Sequence, residues 1–211
     1  MSNKKASFKI YIPTILLVFS LLGCAISQIT PPIPTPTATL TAIPTASPTV
    51  APTATLTLVP TRVELGQRYT ETTGGFSYIP PTGWVVVEFP GSTYKIAHGA
   101  AANNFAPNIN FVDEAYSGSL DSYVDASVSS LTQTFPDATI LGLEELTTDN
   151  GQRCLKVSID NTQSGIKLLQ VSYFFDAGAK KIVAIYSRLA ESGQENDVLV
   201  DQSMKSFRVE Q

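Results

Sequence analysis

Histidine is nearly absent from this 211-residue chain: His98 stands alone, and Cys24 and Cys154 are the only cysteines. A structural zinc takes four nitrogen or sulfur ligands, which these three residues do not supply. A serine nucleophile needs a base and a group to orient it, and His98 is the one imidazole available to any such triad. Patterns for phosphate cradling and EF-hand calcium binding are missing too: Gly74-Gly75 and Gly91 read as turn glycines, and the acids lack EF-hand spacing. Positive charge is scarce in the main body. From Arg62 to the C terminus, 11 basic residues face all 18 acids, a net charge of −7. That balance excludes the basic footprint that nucleic-acid binding requires, and it disfavours adsorption to anionic lipid. Finally, no apolar run reaches the roughly 20 residues of a membrane-spanning helix.

What is present begins at the N terminus. Lys4, Lys5 and Lys9 precede a run of about 13 mostly apolar residues from Ile10 to Leu22, the charged and apolar regions of a secretory signal. The run closes on Leu21-Leu22-Gly23-Cys24, which resembles the lipobox of bacterial lipoproteins, with Leu22 bulkier than the small residue usual before the glycine. The resemblance implies a signal peptide over residues 1–23 and acyl chains on Cys24, enough to hold the chain at the cell membrane on its extracytoplasmic face. In a cell with two membranes, a residue other than Asp at position 25 favours the outer one. The alternative is an ordinary signal peptide and a soluble secreted product.

Residues 24–62 are then set apart by composition. Ile29 to Thr61 carries no charge and holds eight of the 14 prolines, among Pro-Thr, Thr-Ala-Thr and Thr-Leu-Thr units. Proline fixes φ and removes a backbone donor, so the segment reads as an extended Pro/Thr-rich linker, bare or O-glycosylated.

Residues 63–211 suit one domain. Short strands are expected at Gly75–Pro80, Trp84–Phe89, Thr93–Ala97 and Asn108–Val112, with a small-residue loop at Gly99–Pro107. A helix begins after Ser119, a suitable N-cap, with Leu120, Tyr123, Val124, Ser127, Val128, Leu131 and Phe135 on one stripe and Pro136 ending it. Asn150-Gly151, after a strand at Thr139–Thr147, predicts a type I′ hairpin turn. On the returning strand Leu155, Val157 and Ile159 oppose Cys154, Lys156 and Ser158. The next pair, Ile166–Phe175 and Lys181–Ser187, is apolar on both faces, as a sheet covered on both sides would be. Ser192 with Glu195 predicts a capping box, and Val200, Met204 and Phe207 form the last helix's stripe. The expected fold is α+β, a mostly antiparallel β-sheet sandwiched by helices.

Two stretches carry a further resemblance: Gly75 to Trp84, a strand, a proline turn and Gly-Trp, and the run from Gln170-Val171-Ser172-Tyr173 through Lys181-Ile182-Val183-Ala184 to Ser206-Phe207-Arg208-Val209. With the helix and hairpin between them they resemble the PsbP-like domains of bacterial envelope lipoproteins, a superfamily that includes photosystem II PsbP and the Ran-binding Mog proteins. The resemblance spans Tyr69 to Gln211. It implies a non-catalytic, accessory or binding role. The resulting expectation is a tethered module with no catalytic residue, cofactor or metal that meets an envelope protein partner through Gly99–Pro107 or a sheet edge.

Residues that bear chemistry are few. Asp113-Glu114 and Glu144-Glu145 are paired acids, but neighbours in a strand point to opposite faces, so solvated surface is the expectation for both. Asp113, Glu114 and Asp121 near one loop are candidate oxygen ligands for weak calcium. A hydrolase would need Asp113 or Glu114 to converge on His98. A small-ligand carrier or sensor, the alternative to a binding module, would need a pocket lined by residues such as Tyr94, Phe105 and Tyr116. Cys154 reads as a small core residue.

Overall fold

The computed structural model describes residues 64–210, so the expected signal peptide, Cys24 and the linker lie outside the described residues. Two antiparallel sheets and two helices make up the described part. The strands are β1 (Tyr69–Glu71), β2 (Phe76–Tyr78), β3 (Val85–Val87), β4 (Ile96–His98), β5 (Asn108–Ala115), β6 (Thr139–Thr147), β7 (Arg153–Gln163), β8 (Ile166–Asp176), β9 (Lys180–Leu189) and β10 (Arg208–Val209). Helix α1 is Leu120–Thr134 and α2 is Asp197–Lys205.

The large sheet has the order β3-β4-β5-β9-β8-β7-β6, and β1-β2-β10 form a small one. Every neighbouring pair in both sheets is antiparallel. Between β5 and β6 lie three strands, so these two run in the same direction. Strands of like direction need a crossover, and α1 supplies it. Ser119 caps α1 as its sequence implies: the side chain accepts from the Ser122 backbone N–H at 3.1 Å. The helix stops before Pro136, and Phe135 N–H closes its last turn onto Leu131 O.

The apolar residues on both faces of β8 and β9 now have their reason. On one face Leu120, Tyr123 and Val124 of α1 pack on Leu155, Val157, Ile159, Phe174 and Val183. On the other, Val200, Met204 and Phe207 pack with Phe76 and Tyr78 on Phe111, Tyr173, Phe175 and Tyr186. The sandwich is therefore a helix on one side and a helix plus a three-stranded sheet on the other. Phe207 stands at its aromatic centre, 3.8 Å from Phe175 between ring centroids and 5.7 Å from Phe76, both stacked. Ser206 fixes the end of α2 to β2: its Oγ accepts from Ile79 N–H at 2.7 Å and donates to Ser203 O at 2.6 Å.

Two turn expectations are corrected. Asn150-Gly151 is not a type I′ turn, because that turn needs positive φ at both central residues and only Gly151 has it. Gly151 N–H bonds Thr148 O, and Thr148 N–H bonds Gln152 O, the pattern of a type I turn followed by a left-handed glycine. The left-handed pair falls one hairpin later, at Ser164 (φ 50°) and Gly165 (φ 82°), between the paired residues Gln163 and Ile166. Ser192 does not cap α2 either. Gly193 turns left-handed (φ 86°), a single 3₁₀ turn at Gln194–Asn196 follows, and Asp197 begins the helix with its carboxylate on Arg188 at 2.8 Å. Among the described residues, no helix is long and apolar enough to cross a membrane.

Candidate functional site

The paired acids do not converge. Asp113 lies on the Phe111 face of β5 and accepts from Lys180 Nζ at 2.8 Å. Glu114 points to the opposite face and accepts from the Tyr123 hydroxyl at 3.2 Å. Glu144 sits 3.6 Å from Lys156, which also pairs with Asp201 of α2 at 3.0 Å. Glu145 and Asp121 share Arg153 at 2.9 and 2.7 Å. That guanidinium holds the Asp121 carboxyl below its ordinary range, chiefly by hydrogen bonding. These ion pairs tie α1 and α2 to the sheet.

Asp113, Glu114 and Asp121 thus face different partners, and among the described residues no three His, Cys, Asp or Glu side chains come together to hold a metal. His98 ends β4 opposite Asn108, with a ring nitrogen 3.0 Å from Gly99 O. Asp113 is five residues beyond Asn108 on β5, about 17 Å along the strand at ~3.4 Å per residue. A His98–carboxylate centre does not form. Cys154 is 1 % exposed, and burial pushes its thiol up to about 12. The thiolate required for nucleophilic chemistry is therefore suppressed.

Nor do Tyr94, Phe105 and Tyr116 line one pocket. Tyr116 packs on Tyr123 of α1 at 5.0 Å, while Tyr94 meets Phe76 edge-on at 5.3 Å in the other core. Phe105 belongs to the Gly99–Pro107 segment, which is a small hairpin rather than an open loop. Ala102 and Phe105 exchange backbone bonds of 2.9 and 3.0 Å around Asn103 and Asn104, both left-handed. Asparagine tolerates that conformation better than most residues. The tip is exposed.

A cavity among the described residues lies elsewhere, between the β1–β2 turn and the β3–β4 connection. It measures about 330 Å³ and is lined by Glu71, Thr73, Glu88, Phe89, Ser92, Thr93, Tyr94 and Lys95. Pairing places it: Glu71 sits opposite Phe76 at the end of the small sheet, and Gly75 N–H bonds Glu71 O to close the turn. Gly74 is required there, since a Cβ would strike the Phe76 ring. Glu71 is only 8 % exposed; it accepts from the Tyr69 hydroxyl at 2.7 Å and from Thr73 N–H at 3.2 Å. Burial first, then Glu71, push the Tyr69 phenol up. Burial, then Asp113, do the same for Tyr94. The Ser92 hydroxyl is buried without a protein partner. Nothing in the sequence singles out Glu71. The one usable signal is the i, i+2 spacing of Tyr69 and Glu71, which puts phenol and carboxylate on one face.

Layer order, all-antiparallel pairing and the α1 crossover define an α+β sandwich of a kind seen in several proteins of known structure. The fold is PsbP-like. Cyanobacterial PsbP (CyanoP) from Synechocystis sp. PCC 6803 superposes with a TM-score of 0.51 at 16 % identity, covering 75 % of this chain and 99 % of that one. LpqN of Mycobacterium tuberculosis, a protein involved in cell envelope biogenesis, gives 0.51 at 10 % identity over 69 % of this chain and 86 % of its own. A Pseudomonas aeruginosa protein of unknown function gives 0.50 at 11 %, over 66 % and 94 %. No family model and no curated protein matches the sequence.

Proposed function

We propose that this chain is a lipid-anchored extracytoplasmic protein whose PsbP-like domain is a non-catalytic binding or assembly module. In this reading residues 1–23 are removed, Cys24 carries the acyl chains, residues 24–62 are the tether and residues 63–211 meet an envelope protein. At about 3.1 Å per residue, the Pro/Thr stretch would reach up to roughly 100 Å from the membrane. The observation that carries the proposal is the lipobox-like Leu-Leu-Gly-Cys before a linker and a PsbP-like domain. Asp113, Asp121 and Glu145 are engaged in ion pairs, Asp113 and Glu145 within the large sheet and Asp121 from α1 to it, which supports a structural role for them. A small-ligand carrier or sensor is the second reading, and the cleft at Glu71 favours it.

The test is fractionation of the full chain expressed in a bacterium, with intact-mass analysis and co-purification from membranes. Acylation at Cys24, loss of membrane retention in Cys24→Ala, and a near-stoichiometric protein partner absent from a chain ending at Thr61 are expected. A Cys24→Ala protein that remains on the membrane would refute the anchor. A specific turnover abolished by substituting one carboxylate or His98 would refute the non-catalytic role.

A further inference from the structure

Most acids of this domain that are partly withdrawn from water have cationic partners; Glu114, which accepts from the Tyr123 hydroxyl, and Glu71 do not. Asp113 pairs with Lys180, Asp201 with Lys156, Asp197 with Arg188 and Asp176 with Lys181. Glu71 is more buried than any of them, and its two hydrogen-bond donors are neutral, the Tyr69 hydroxyl and Thr73 N–H. Glutamate is almost never fully buried unpaired, because burial strips the ion of its hydration. An ionised carboxylate offers about four acceptor positions, and two of those on Glu71 are used. The side chain lines an open cleft of about 330 Å³ that has room for the missing partner.

The rest of the lining states what that partner is. Glu88 adds a second negative charge, and Lys95 is the only cation in the wall. Lys95 reaches Glu88 at 3.7 Å with both side chains well exposed, a weak contact that a better cation can displace. Tyr94, 7 % exposed, lines the wall beside them, and tyrosine rings attract cations. An anion has no binding set here. A calcium ion takes six to eight oxygens, and no metal-holding acidic cluster exists among the described residues.

We propose that this cleft is a binding site for an organic cation, an alkylammonium or guanidinium group, received by the Glu71 carboxylate with Glu88 and Tyr94 beside it. The group arrives either on a free amine or on a basic side chain of a protein, and the same chemistry serves both.

The experiment titrates the uniformly ¹⁵N-labelled full chain in detergent micelles with agmatine, with the blocked peptide acetyl-Gly-Arg-Gly-amide and with calcium chloride. Amide shifts of Thr73, Ser92, Thr93 and Lys95 are the readout. Saturable movement of these amides by agmatine or the peptide is expected, weakened about tenfold or more in Glu71→Gln, whose amide oxygen still accepts from Thr73 N–H while its NH2 can donate to the Tyr69 hydroxyl, and which removes the charge. Tighter binding of agmatine supports a free amine as the ligand, and tighter binding of the peptide a protein side chain. No saturable movement with either up to about 10 mM, a range that reaches even weak millimolar affinity, would overturn the site. So would an unchanged affinity in folded Glu71→Gln, or calcium producing the same pattern at lower concentration. Lys95→Ala keeps the test decisive should Glu71→Gln not fold. Removing this half-exposed competitor should tighten agmatine binding severalfold, and unchanged or weaker binding would count against the proposal.

Discussion

Phe207 is where the layers of this domain are most dependent on one side chain. It has no exposed surface, stacks on Phe175 at 3.8 Å and Phe76 at 5.7 Å, and lies 6.3 Å from Phe111. It follows directly on Ser206, the C-cap of α2, and so joins helix, small sheet and large sheet at one point. Phe207→Ala removes a fully buried ring and leaves a cavity between rigid aromatic neighbours, which should cost about 3–5 kcal/mol. For a domain of this size that lowers Tm by about 6–20 °C. Phe207→Leu keeps much of the apolar volume but loses the ring stacks, so its cost should be smaller, about 1–2 kcal/mol. Leu143→Ala is the control: Leu143 is 56 % exposed on edge strand β6 and should change stability by no more than about 0.5 kcal/mol.

Urea titration followed by far-ultraviolet circular dichroism and by the single tryptophan reads all three. Trp84 packs 6.3 Å from Tyr186 in the same core, so its emission reports on the layer that Phe207 holds. The midpoint should fall with little change in the slope. If Phe207→Ala costs less than about 1 kcal/mol, or no more than Leu143→Ala, the small sheet and α2 do not share one cooperative core and the packing argument fails.

Two further outcomes follow from single buried groups. Burial raises the Cys154 thiol to about 12, against about 8.5 in an unfolded chain, so its contribution to stability is full below about pH 8.5 and is lost as pH rises toward about 12. Thiol reagents should leave Cys154 unmodified in the native state at pH 8 and label it fully in urea; rapid native labelling would mean that the strand opens locally. Ser206→Ala removes the acceptor of Ile79 N–H in a dry site and should cost about 1–3 kcal/mol by thermal melt. Ser206→Thr retains the oxygen and should recover part of that loss.

The features readable from the sequence are those that local periodicity and burial determine together. The stripe from Leu120 to Leu131 and the Ser119 cap specify α1 within one turn of chain, and the apolar faces of β8 and β9 require layers on both sides. Turn chemistry was less legible. Asn150-Gly151 has the composition of a type I′ turn, but the Thr148 hydroxyl accepts from Gln152 N–H at 2.9 Å and donates to Asn150 Oδ1 at 2.6 Å, bonds that favour the longer turn. Ser192-Glu195 has the spacing of a capping box, yet Arg188 draws Asp197 and the neighbouring carbonyls to itself: its Nη1 donates to Leu189 O, Ala190 O and Ser192 O, and the helix starts later. In both places a side chain outside the motif made the stronger bonds.

The cleft was illegible for a related reason. Its walls come from Glu71–Thr73 and Glu88–Lys95, and what fixes the first wall is the pairing of β2 with β10, 131 residues apart at Ser77 and Arg208. No local pattern encodes a two-residue strand joined over that distance. Once it forms, Arg68 reaches Ser77 Oγ at 2.9 Å and Ser206 O at 3.0 Å, and β1 is pinned beside β2 with Glu71 turned inward. The cation nearest Glu71 in sequence is thereby committed to Ser77 and Ser206. That leaves the carboxylate without a countercharge from its own strand. The same contacts that complete the fold therefore create the unpaired charge in the cleft, and loosening them, as in Arg68→Ala, should weaken cation binding and stability together.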